Sequence, residues 1–110
     1  MHNINTLCIS GGGTKGVVFL GAIQHAIKIK LFAIENIKTF IGVSIGAIIS
    51  FLLSINYSIE DIIQFILNFN LMSLEPEIDC DNLFNNLGLD DGTKIIYLLK
   101  NFLLHQVNLD

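Results

Sequence analysis

Short β-prone runs and helical stripes alternate along the chain. Thr6-Leu-Cys-Ile-Ser10 is apolar and β-prone, shows no alternation and is followed by three glycines, so it reads as a fully buried strand. From Val17 to Lys30, Leu20, Ile23, Ala26 and Ile27 recur at helical spacing, while Gln24, His25 and Lys28 gather on the other face. Lys38 to Val43 is again β-branched and aromatic, and Ala47 to Ile55 is nearly all apolar, as a buried helix requires. Ser58, with Asp61 three residues on, resembles a capping box, and Ile59, Ile62, Ile63 and Ile66 share one helical face. Residues 71–80 hold the one proline, Pro76, among acidic and polar residues and read as a surface connection. A short helix over 81–87 stopped by Gly88, and a longer one over 92–105 with Ile95, Leu99, Phe102 and Leu103 inward, complete the expected elements.

The order strand, helix, strand, helix implies a parallel pair of strands joined by a right-handed crossover, and the class is α/β. At 110 residues the chain holds one domain at most, and 52% apolar against 15% charged residues excludes a disordered chain. A net charge of −4, with six lysines, no arginine and no basic run, excludes nucleic acid as an expected partner. Cys8 and Cys80 show neither metal-ligand spacing nor a disulfide framework, and the N-terminus lacks the pattern of a secretory signal. A reducing, cytoplasmic setting is the expectation. Residues 39–59 carry no charge, and 21 such residues are long enough to cross a bilayer. Two glycines and four serines in that stretch favour a buried strand, turn and helix instead.

The chemistry lies in two glycine clusters, Gly11-Gly12-Gly13-Thr14-Lys15-Gly16 and Gly42-Val43-Ser44-Ile45-Gly46. Each follows a strand and opens a helix, so both loops leave the carboxyl ends of parallel strands, where open α/β sheets bind ligands. Gly42-x-Ser44-x-Gly46 fits a nucleophile elbow, a strained turn that exposes a serine and needs glycines on both sides. Ser44 is then the nucleophile, with Val43 completing the elbow. The N–H of Ile45 at the helix start faces the developing oxyanion. Gly11, Gly12, Gly13 and Gly16 carry no side chains and can turn N–H groups toward an anion, and Lys15 adds charge.

Taken together, Gly-Gly-Gly-x-Lys-Gly after strand one and Gly-x-Ser-x-Gly after strand two make the chain resemble the patatin-like phospholipase family. The segment around Asn56-Tyr57-Ser58 and the run Gly88-Leu-Asp-Asp-Gly92 before a helix look like the family's continuation. The resemblance implies residues 1–110 to be the N-terminal part of a three-layer α/β/α patatin-like domain. It implies a Ser-Asp dyad that cleaves acyl esters of phospholipids or other acyl lipids with no metal and no cofactor, and peripheral contact with membranes. In that family the aspartate lies in Asp-Gly-Gly or Asp-Gly-Ala, which these residues lack. Asp91-Gly92 matches a helix start rather than that motif. The expectation is a chain with little or no esterase activity by itself.

Two other readings stay open at this level. Gly11-x-Gly13-x-x-Gly16 also satisfies the dinucleotide fingerprint, although Glu35 precedes strand two where the fingerprint wants an acid at its end. A truncated, non-enzymatic scaffold is the third. The Walker phosphate loop is excluded, because Val17 and Val18 follow Gly16. His2, His25 and His105 read as surface histidines, Lys15 without the family as a solvated loop lysine, and Asp79, Asp81 and Asp90 as solvated charges.

Overall fold

The computed structural model describes residues 3–68, Asn85 and residues 92–109. Contacts divide the chain into two units, Met1–Phe69 and Asn70–Asp110. The first runs β1 (Thr6–Ile9), a 3₁₀ turn (Gly13–Lys15), α1 (Gly16–Lys28), a second 3₁₀ turn (Ile34–Asn36), β2 (Thr39–Gly42), α2 (Ile45–Ser54) and α3 (Ile59–Asn68). β1 and β2 pair in parallel, with Thr6 opposite Thr39 and Ile9 opposite Gly42. The expected order and the α/β class are those observed, with ends moved by one or two residues.

The C-terminal ends of α1 and α2 are closed by the same device. After α1, Lys30 adopts φ 59°, its N–H donates to the Ile27 carbonyl at 3.0 Å, and the Leu31 N–H donates to Ala26 at 2.9 Å. After α2, Asn56 adopts φ 70°, and Asn56 and Tyr57 donate to Leu53 and Leu52, each at 3.1 Å. These paired bonds are Schellman caps, which satisfy the last carbonyls of a helix through one left-handed residue. Asparagine tolerates that conformation and lysine does not announce it, which is why the sequence pattern carries helix one on to Lys30. Ser58 starts α3 as its pattern predicts, its hydroxyl accepting the Asp61 N–H at 3.1 Å.

The core of this unit is the meeting of α1, α2 and α3, whose Leu20, Ile49, Leu52 and Ile62 are fully buried. Ile9 and Phe32 extend it to β1 and to the segment after α1. Helix two is buried along most of its length, and its one buried polar side chain, Ser50, donates to the Ile41 carbonyl at 3.4 Å. That bond ties α2 to the strand it packs against.

β1 departs from expectation. It is not fully buried: Ile9 is buried and Leu7 half-buried, whereas Thr6 and Cys8 are exposed. Successive strand residues face opposite sides, and α2 packs on the Leu7 and Ile9 side of the pair. The partners Thr39 and Ile41 across the register are exposed as well.

In the second unit, α4 spans Thr93–Leu109. The Gly92 carbonyl accepts the Ile96 N–H at 3.0 Å, so Gly92 starts the helix, as expected. No glycine or proline follows His105, and the helix runs four residues past the expected end. Leu99 and Phe102 are half-buried as expected, but Ile95 and Leu103 are exposed; Leu98 and Gln106 take those places in the inward stripe. The expected connection over 71–80 and the helix over 81–87 lie outside the described residues. No described helix is long and apolar enough to cross a membrane, and the uncharged stretch 39–59 divides into β2, α2 and the start of α3.

The cap on α1 yields a prediction. Lys30→Gly removes the side-chain penalty of the left-handed region and raises stability by about 1 kcal/mol, read from urea denaturation. A midpoint unchanged or lowered would show that Lys30 is not held in that conformation.

Candidate active site

Parallel pairing with Ile9 opposite Gly42 brings both glycine clusters to one edge of the sheet. Two of the glycines are there because nothing larger fits. A methyl group on Gly46 would stand 2.3 Å from the Ile9 carbonyl oxygen and 2.6 Å from that of Ser10. A methyl on Gly42 would stand 2.2 Å from the Gly46 oxygen and 2.6 Å from the Ala47 nitrogen. Real Cβ atoms essentially never approach backbone so closely, so a side chain at either position would force the backbone to shift. The Ile9 carbonyl that crowds Gly46 also accepts the Val43 N–H at 3.1 Å. The first turn of α2 is thereby seated on the end of β1.

Seating α2 there sets Ser44 beside the first glycine loop. A methyl on Gly11 would lie 3.5 Å from the Ser44 Cβ and 3.7 Å from the Val43 oxygen, which is ordinary contact. Gly16 packs more tightly against Ile45, since a methyl there would meet the Ile45 Cγ1 at 2.6 Å. The N-termini of α1 and α2 therefore converge, and each brings a partial positive charge. The loop between Gly11 and Gly16 is shaped by Gly13 at φ 55°, by the Lys15 N–H donating to Gly12 at 3.0 Å, and by the Gly16 N–H donating to Gly13.

Ser44 itself has φ 57° and ψ −126°, a conformation that strains any residue with a side chain by about 1–3 kcal/mol. It occupies the N-cap of α2, and its carbonyl accepts the Ala47 N–H at 2.9 Å. An N-cap serine ordinarily turns its hydroxyl onto its own helix. Ser44 makes no such bond, and it is exposed. The strained backbone leaves the hydroxyl uncommitted. Among the described residues, no backbone bond engages the N–H of Gly11, Gly12, Gly13 or Ile45 either. An uncommitted hydroxyl beside free N–H groups and two helix N-termini suits attack on a carbonyl whose oxygen becomes negative.

The carboxylates of α3 lie near residues away from this edge. Glu60 accepts from the Gln24 amide at 3.2 Å, and Asp61 lies beside Tyr57. Burial and then that carboxylate raise the Tyr57 hydroxyl above its ordinary pKa. Tyr57 and Glu60 border an open cavity of about 730 Å³ lined also by His25, Lys28 and Leu53, at the opposite end of α2 from Ser44. Asp91 lies outside the described residues. Among the described residues no group of histidines, cysteines and carboxylates is disposed to hold a metal ion.

A family model described as Patatin-like phospholipase matches residues 7–107. The chain belongs to this family. Its relatives include the "Probable lipid hydrolase 463L" of Invertebrate iridescent virus 6, 56% identical over 50 residues, which are 46% of this chain and 16% of the relative. Another is the "Calcium-independent phospholipase A2-gamma" of Rattus norvegicus, 32% identical over 94 residues, 84% of this chain and 10% of the relative. The chain thus spans less than a fifth of the length of these curated relatives. No solved structure matches it.

The structure brings together the sequence-derived candidates Gly11, Gly16, Gly42, Val43, Ser44, Ile45 and Gly46, with Gly12, Gly13 and Lys15 in the same loop. It adds Ser50, which sequence reasoning missed. A serine in the middle of the apolar residues of helix two was the available signal.

Two outcomes follow from the contacts. Gly46→Ala costs about 1–3 kcal/mol or more in thermal unfolding because backbone must move, while Gly11→Ala stays within about 0.5 kcal/mol of the parent. Equal losses in both would refute the seating described. Ser44→Gly and Ser44→Ala both remove the hydroxyl, but only glycine relieves the positive φ, so the glycine variant unfolds about 1 kcal/mol later.

Proposed function

We propose that this patatin-like chain carries the nucleophile and the oxyanion cradle of a lipid acyl hydrolase. Ser44 Oγ attacks the ester carbonyl carbon, and the carbonyl π pair moves onto oxygen. That oxygen is received by the N–H groups of Gly11, Gly12, Gly13 and Ile45, with Lys15 adding positive charge nearby. The Oγ proton passes to an aspartate. Collapse of the intermediate expels the alcohol of the lipid, which takes that proton back, and water then releases the acyl group by the same steps reversed. The single observation that carries this reading is the Ser44 backbone, φ 57° at the N-cap with no capping bond, against the Gly11 loop.

The aspartate is proposed to come from outside these residues. Glu60 is engaged with Gln24 and Asp61 lies beside Tyr57 at the start of α3, and the relatives extend over many times this length. A serine without its base is a weak nucleophile, and loss of such a partner lowers the rate about 10⁴-fold while the cradle survives. The expected substrates are phospholipids or other acyl lipids, because the family is described as phospholipases and one relative is named a probable lipid hydrolase. No cofactor enters the proposed steps.

A fluorophosphonate probe tests the reading. Slow labelling of the 110-residue chain that vanishes in Ser44→Ala is expected, together with negligible turnover of a soluble short-chain ester. Absence of any labelling points to a non-enzymatic scaffold. Brisk hydrolysis that depends on Ser44 would place the base within this chain and overturn that part of the proposal.

A further inference from the structure

Gly11, Gly12 and Gly13 are three glycines in a row, the costliest kind of backbone to order, yet an anion cradle works only if its N–H groups are fixed before the charge forms. The hydrogen bonds that shape the loop use its carbonyls: the Lys15 N–H donates to Gly12 at 3.0 Å and the Gly16 N–H donates to Gly13. Side chains meet the loop at two points. Gly11 lies against Ser44, and Gly12 lies against the ring of Phe19. A methyl group on Gly12 would stand 2.8 Å from Phe19 Cε2, 3.0 Å from Cζ and 3.9 Å from Cδ2, and these are the three atoms nearest to it. The ring occupies the space that a side chain at position 12 would need. At Gly13, with φ 55°, a methyl would meet nothing within 4 Å.

We infer that Phe19 is a positioning residue for the cradle: its ring, carried on α1, braces Gly12 and so fixes the directions of the Gly12 and Gly13 N–H groups. The 3₁₀ turn Gly13–Lys15 leads directly into α1 at Gly16, so Gly12 stands about two turns before Phe19 on the same side. Helical side chains lean toward the N-terminus and cover the turn before their own Cα, and only a long one reaches as far back as Gly12. The ring has a firm base. Leu20 beside it is fully buried, Ile23 one turn on is buried, and Phe19 itself is half-buried. Phe19 touches the loop and acts through Gly12. The inference rests on the hydrolase reading for what the loop receives, whereas the bracing of the loop does not depend on it.

Backbone amide NMR relaxation and fluorophosphonate labelling of the 110-residue chain test it together. In the parent the Gly12 and Gly13 amides are expected to be as rigid as the helices, with order parameters of about 0.85, and Phe19→Ala lowers them below about 0.6 while amides of α2 and α3 keep theirs. Labelling of Ser44 slows by about tenfold to 100-fold in the same variant, as for N–H groups displaced by about an ångström. Phe19→Leu keeps an apolar residue on the helix but lacks the reach, so it melts within about 5 °C of the parent and still labels as slowly as Phe19→Ala. Phe19→Met reaches farther and recovers part of the rate. Unchanged order parameters in Phe19→Ala overturn the inference. So does labelling that follows the melting temperatures of the three variants instead of the reach of their side chains. A parent chain that takes no probe sinks the hydrolase reading alone, and the order parameters then decide whether Phe19 braces the loop.

Discussion

The site depends on one close approach, that of Gly46 to the backbone of Ile9 and Ser10. Because no side chain stands between them, the first turn of α2 rests on the carboxyl end of β1 at backbone distance. Everything at the candidate site follows from that contact. It aligns the Val43 N–H with the Ile9 carbonyl, carries Ser44 to the Gly11 loop, and lets Ile45 meet Gly16 at the start of α1. A larger residue at position 46 would push α2 outward and separate the serine from the loop.

The strain at Ser44 persists because its neighbours hold it from both sides. Before it, β2 is fixed by parallel pairing with β1 and by the Ser50 hydroxyl on Ile41. After it, α2 is anchored by Ile49 and Leu52, both fully buried against the other helices. A residue held at each end by a packed element cannot relax without disturbing the core, so a penalty of about 1–3 kcal/mol is sustained locally. The return is chemical: the hydroxyl is withheld from its own helix, and the helix N-terminus remains free to act on an anion.

Not all of the patatin-like architecture is present among the described residues. The exposed face of the β1–β2 pair carries Cys8 and Ile41, where parallel sheets are ordinarily covered on both sides. α4 likewise presents apolar side chains outward. These surfaces accord with a chain that spans a small share of its relatives' length. Ser44 and the glycine loop beside it are locally assembled, whereas the second face of the strand pair is uncovered among the described residues.

Much of this was legible in the amino-acid sequence, for reasons that are local. Periodicity found α1, α2 and α3, the Ser58 cap marked a helix start, and the glycine clusters named Ser44 and its loop. Other features required the tertiary structure. Lys30 closes α1 although nothing about a lysine announces a left-handed cap, because the turn toward β2 demands it. Apolar content alone made β1 look buried on both sides, yet Cys8 is exposed, since coverage depends on which face α2 occupies. In α4 ten of the 17 positions are apolar or aromatic and they spread over more than one face, so the sequence could not tell the inward stripe from the outward one. By itself the sequence determined which residues can form the elbow and cradle, because glycine and serine requirements are set by backbone sterics. Only the tertiary structure decided that Gly46 seats on β1 and that the Ser44 hydroxyl is left free, because those are distances between elements far apart in the chain.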